Sequence, residues 1–141
     1  MIHQVPVSLV EDIWPAIHKF VEAACEYNPY VEAEDLKLLI LNSRVTLFIA
    51  DQDSHIVGFG AMELVKYPRR TVANILAAGG EPNGFLRAAI TELLPVLKRW
   101  GLEQGADTVS ITGRPGWLKA LKAEGGKTAS YAMWWQRIDH V

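Results

Sequence analysis

The sequence predicts an α/β (α+β) fold. It is one domain over residues 1–141, with a mixed, mostly antiparallel sheet flanked by helices in the order β-α-α-β-β-β-α-β-α-β. Three observations carry this. Three consecutive runs rich in β-branched and aromatic residues, "RVTLFIADQD", "HIVGFGAMELVKY" and "TVANILAAGG", are separated only by turn signals, the pattern of an antiparallel meander. Stretches with apolar residues at helical spacing lie before and after them. The 141 residues, 50% hydrophobic and 21% charged, suffice for one core and exclude wholesale disorder.

"IHQVPVSL" reads as a short first strand through Ile2, Val5, Val7 and Leu9. "DIWPAIHKFVEAA" then places Ile13, Ile17, Phe20, Val21 and Ala24 on one helical face. Pro15 would break a hydrogen bond in a helix capped at Ser8, so capping at Glu11 or Asp12 is expected, with Pro15 in the first turn. "NPY" at 28–30 ends this helix, and "VEAEDLKLLILNS" starts another, with Glu34 and Asp35 near its positive N-terminal end. After the meander, a helix is expected from about Phe85 to Gln104. Its stripe is Leu86, Ile90, Leu93, Leu94 and Leu97, with a kink at Pro95 and an end weakened by Gly101 and Gly105. "DTVSITG" reads as a strand and "PGWLKALKAEGG" as a short helix opened by Pro115 and closed by Gly125 and Gly126. "KTASYAMWWQRI" closes the order as a strand.

Composition narrows the function classes. A net charge of −2 and a pI near 6.1 give no general attraction to nucleic acid or an acidic membrane. One cysteine, Cys25, excludes an internal disulfide framework and a paired-cysteine zinc site, and it reads as a packed thiol. His3, His18, His55 and His140 are scattered without ligand spacing, so no metal is expected. The sequence has no Gly-x-Ser-x-Gly elbow, Walker loop or Rossmann fingerprint. No apolar run reaches membrane-spanning length and no signal peptide is read at the N-terminus, so a cytoplasmic protein is expected. Residues 1–35 hold seven acids (Glu11, Asp12, Glu22, Glu26, Glu32, Glu34 and Asp35) against one base, Lys19. They form either a solvated helix face or an acidic rim that attracts an amine.

The element order, with the glycine-bearing stretch "AAGGEPNGFL" between the fourth strand and the long helix, resembles the GNAT superfamily of N-acetyltransferases. The resemblance implies acetyl-CoA in a cleft where the fourth and fifth strands diverge. Its pyrophosphate would lie on backbone N–H groups at the following helix N-terminus. The cofactor-binding residues would then be Ala77, Ala78, Gly79, Gly80, Asn83, Gly84 and Phe85. The stretch departs from the family's Gln/Arg-x-x-Gly-x-Gly/Ala pattern. Glu81 carries a negative charge, Pro82 lacks an N–H and Leu86 replaces a small residue, so a plain glycine turn is the other reading. The resemblance also assigns Glu63, in the centre of the meander, as a general base, against an outward-facing strand glutamate. The family's "LYEKLGF" signature corresponds to "ALKAEGG", where Leu121 replaces the tyrosine that can protonate the leaving thiolate and Gly126 replaces the aromatic. Leucine donates no proton. Tyr131 is the substitute acid, or else a packing aromatic. The implied reaction is acetyl transfer to a primary amine on a small molecule or a protein.

A narrower likeness joins "TGRPGWLKALKAEGG" and "ASYAMWW", which look like small GNAT-like proteins encoded by bacteriophages and prophages. It implies a phage origin, and as an alternative a catalytically eroded binding or virion-associated protein. Adjacent Trp134 and Trp135 point to opposite faces of a strand, so one is expected to meet a helix, a partner chain or solvent. Residues 129–135 contain neither charge nor proline, the devices that guard a sheet edge. This predicts either an intramolecular cover or a homodimer through the C-terminal strand.

Overall fold

A computed structural model describes residues 1–26, 28, 30–82 and 89–111. Its sheet runs in the order β1-β2-β3-β4-β5. The strands are β1 (Ile2–Gln4), β2 (Thr46–Gln52), β3 (His55–Lys66), β4 (Thr71–Gly80) and β5 (Thr108–Ile111). The first four pair antiparallel, and β5 joins β4 in parallel from Val72↔Thr108 to Ile75↔Ile111. The meander and the strand after the long helix are thus where the sequence put them. The β2–β3 turn has only Asp53 and Ser54 between its strands, both at positive φ (52° and 61°), the primed-turn geometry that matches strand twist.

Helices α1 (Val10–Cys25) and α2 (Ala33–Leu41) cover one sheet face. Val10, Ile17, Val21, Leu36 and Ile40 pack there on Leu47, Phe59 and Ala61. Helix α3 (Leu94–Glu103) covers the other face, where Leu94, Leu97 and Trp100 pack on Phe48, Met62, Ala73 and Ile75. An edge-on contact between the Phe48 and Trp100 rings, centroids 6.2 Å apart, joins sheet to helix.

Several local expectations are corrected. The first strand stops at Gln4, and Val7–Leu9 form a 3₁₀ turn that leads directly into α1. α1 therefore begins at Val10, and Pro15 lies beyond its first turn. Full burial of Val10 and near-full burial of Trp14 draw the helix start forward. Glu11 and Pro15 are both exposed, so the hydrogen bond that Pro15 forgoes lies on the solvent side of the helix. At α2, Glu32 and Asp35 form a reciprocal capping box, with the Glu32 N–H donating to the Asp35 carboxylate at 3.0 Å.

In the described part of the expected helix over 85–104, the irregularity at Pro95 takes the form of a π-helical turn, Ala89–Leu93, that runs directly into α3, with Pro95 as the second residue of α3. The wider π-helical turn immediately ahead of Pro95 is a place where a helix accommodates a residue without an N–H. Gly101 does not weaken α3. A Cβ at this position would lie 2.9 Å from Ala73 Cβ, so the glycine lets the helix sit against β4. The helix ends on Gly105 (φ 89°), with Ala106 N–H bonded to Gly101 O at 2.7 Å and Gly105 N–H to Leu102 O at 3.1 Å. The expected helix at 115–126 and the C-terminal strand lie outside the described residues.

Candidate functional site

The site is organised by one irregularity in β4. Ala61 pairs with Ala77 and Met62 with Ile75, so Leu76 is an extra residue opposite the Ala61–Met62 step. Ala73 and Ile75 face the α3 core, whereas Leu76 and Ala77 both meet the α1–α2 core. A bulge bends its strand and re-aims the residues beyond it. Here those residues are Ala77, Ala78, Gly79 and Gly80, paired on one side with Ala61, Gly60, Phe59 and Gly58 of β3. A strand directs alternate backbone groups away from any one neighbour. The described β5 pairing reaches only Ile75.

Gly79 has a packing role of its own. A Cβ there would meet Phe20 O at 3.1 Å and the Phe59 ring at 3.3 Å, so the glycine admits α1. Glu81 donates its N–H to Val57 O at 2.8 Å, and its carboxylate lies 4.0 Å from Lys19 Nζ on α1. Both side chains are substantially exposed, so the pair contributes little stability. It nevertheless accounts for the negative charge that the sequence places beside the proposed phosphate loop. Asn83, Gly84 and Phe85 lie outside the described residues.

Glu63 lies on β3 facing the α1–α2 side, in step with Phe59 and Ala61. It pairs across the strands with Asn74, and Asn74 in turn with Ser110. Their side chains form a line. Ser110 Oγ–H donates to Asn74 Oδ1 at 2.7 Å, and Asn74 Nδ2–H donates to Glu63 Oε1 at 3.1 Å, both partly buried. The carboxylate only accepts, so the amide must turn its NH₂ to Glu63 and its oxygen to the serine. Among the described residues, no cation lies within ion-pair distance of Glu63 and Oε2 makes no hydrogen bond. Ile75 and Leu76 separate Asn74 from Ala77, about 10 Å of strand.

Glu63 is legible in the sequence, whereas its partners Asn74 and Ser110 were missed there. A polar residue interrupting each apolar run was the available signal, and only the strand register brings the three together. Tyr131, Leu121, Trp134 and Trp135 lie outside the described residues. Much of the N-terminal acidity has local roles. Glu11 pairs with Lys37 at 3.0 Å, Glu22 with His18 at 2.9 Å, and Glu32 with Asp35 in the capping box. Burial pushes the Cys25 thiol pKa up, and Asp35 adds to the rise. Among the described residues no group of histidine, cysteine and carboxylate side chains could hold a metal ion, and no helix is long and apolar enough to cross a membrane.

Comparison with solved structures identifies this architecture. An aminoglycoside N-acetyltransferase, AAC(6')-Iy, solved with CoA, superposes with a TM-score of 0.69 at 17% identity over 98% of this chain and 99% of its own. A ribosomal-protein-alanine N-acetyltransferase from Brucella melitensis biovar Abortus 2308 gives 0.70 at 12% identity over 98% and 99%. A predicted acetyltransferase with acetyl-CoA from Clostridium acetobutylicum gives 0.68 at 11% over 99% and 95%. The fold is therefore GNAT-like, that of N-acetyltransferases. No family model matches the sequence, and no curated protein is significantly similar to it.

Proposed function

We propose that this protein is a GNAT-type N-acetyltransferase that moves an acetyl group from acetyl-CoA to a primary amine. The observation that carries the reading is the half-buried Glu63 carboxylate, held by Asn74 beside a bulged β4 in a GNAT-like fold. The strand after the bulge fits a thioester arm. Ala77 to Gly80 carry no side chain beyond a methyl group and so permit close approach to the backbone. Bound acetyl-CoA would supply the activated acyl group.

The backbone of Ala77, Ala78, Gly79 and Gly80 would align that arm, and Asn83, Gly84 and Phe85 would receive the phosphates. Glu63 accepts the proton of the attacking ammonium group at Oε2, directly or through one water, because only a neutral amine is nucleophilic. Tyr131 donates the proton that the leaving sulfur needs. The exposed acids of the α1–α2 region without a described local partner, Asp12, Glu26 and Glu34, border the acceptor side and favour a cationic amine. The aminoglycoside enzymes among the structural neighbours support a small polyamine-like acceptor, and the protein-alanine enzyme supports a protein amine. The likeness of the segment from residue 112 onward to phage proteins adds a phage or prophage origin to this reading, with the domain working in the host cytoplasm.

Calorimetry with acetyl-CoA, followed by thiol release in the presence of sisomicin, spermidine and an alanine-terminated peptide, tests it. Heat of binding, a raised Tm and turnover with at least one amine are expected. Glu63→Gln should keep the fold and binding while lowering kcat about 10²- to 10⁴-fold. No heat and no thermal shift at millimolar acetyl-CoA would overturn the transferase reading in favour of an eroded binding protein.

A further inference from the structure

We infer that Asn74 is a positioning residue for Glu63, and that Ser110 steadies the Asn74 amide from its far end. This rests on the transferase reading above. The three residues occupy directly paired positions on three adjacent strands, so the backbone register holds their spacing without help from loops. The amide is satisfied at both ends: its oxygen takes the Ser110 hydroxyl proton at 2.7 Å and its NH₂ serves Glu63 Oε1 at 3.1 Å. A reversed amide would set its oxygen lone pairs against a carboxylate, so Glu63 fixes which way the amide faces. Ser110, whose hydroxyl can donate or accept, then holds the amide from its other end by donating to the oxygen.

The line engages only one carboxylate oxygen among the described residues. Oε1 is anchored and Oε2 is left to receive a proton. Hydrogen bonding along such a chain polarises each member, so a change at Ser110 reaches Glu63 through the amide. A bond to an ionised carboxylate is stronger than a neutral one, which makes Asn74 the principal contact and Ser110 the smaller, indirect one.

The consequence is a graded kinetic and spectroscopic signature. With acetyl-CoA and whichever tested amine turns over, Asn74→Leu should lower kcat roughly tenfold and leave KM for acetyl-CoA within about twofold. Ser110→Ala should act in the same direction by a smaller factor. A role confined to folding would lower Tm without this division between kcat and KM. Side-chain amide NMR supplies a readout that needs no substrate: the Asn74 NH₂ resonances should move in Ser110→Ala and in Glu63→Leu. If Asn74→Leu fails to fold, Ser110→Ala, which deletes one hydroxyl, carries the test by the same two measurements. Unmoved Asn74 resonances, or a folded variant with unchanged kcat, would overturn the inference while leaving the transferase reading standing. Failure of the unaltered protein to bind acetyl-CoA would remove both together.

Discussion

Cys25 ends α1 with its side chain buried, and burial with Asp35 nearby raises the pKa of its thiol. The thiolate is the reactive form, so alkylation by iodoacetamide at pH 7.5 should run roughly tenfold or more slower in the native protein than in denaturant. A matching rate would contradict the packing. Linkage gives the sign for stability. Because the folded pKa is raised, the contribution is fully present below the unfolded thiol value, about 8.5, and is lost as pH rises through the folded value. A Cys25→Ala comparison between pH 7 and 10 isolates that loss. At the same scale, Glu63 was visible in the sequence as a carboxylate in the meander, but its partners were not. Asn74 and Ser110 are 36 positions apart in the chain and meet only through the parallel β4–β5 register.

Among the elements, the β2–β3 hairpin has the most direct local test. Asp53 and Ser54 both occupy the left-handed region, which costs an L-residue such as serine about 1 kcal/mol or more. Ser54→Gly should stabilise the protein by roughly 0.5–1 kcal/mol and raise Tm, with acetyl-CoA binding unaffected. A lowered Tm would mean that the serine makes a contact which outweighs the strain. Strand placement was legible because turn chemistry and β-branched runs are local signals. The helix ends were less so. Burial of Val10 and Trp14 outweighed the preference for Pro15 in a first turn, and the π-helical turn at Ala89–Leu93 left no sequence mark except Pro95 just after it.

For the whole molecule, the three layers are spaced by glycines where helices cross β4. Gly79 lies beneath α1, and Gly101 in α3 faces Ala73. Gly101→Ala gains helix propensity of about 1 kcal/mol, but it sets two methyl groups 2.9 Å apart on backbones that cannot yield cheaply. The clash should win, with a net loss of roughly 1–2 kcal/mol by denaturant unfolding. The Gly101→Ala/Ala73→Gly pair should recover most of it, because the contact is shared between the two sites. Additive losses would show that α3 is held elsewhere.

The sequence by itself determined the number and order of the described strands, the two helices before the meander, and a strand after the long helix. Each of these comes from periodicity, turn residues and chain order, which act over a few residues at a time. It also singled out Glu63 and the glycine-bearing end of β4. Tertiary structure alone decided that Leu76 is a bulge, that Gly79 and Gly101 are spacers, that Glu81 turns toward Lys19, and that Glu63, Asn74 and Ser110 form one line. These depend on register and on distances between elements remote in sequence, which no local preference encodes.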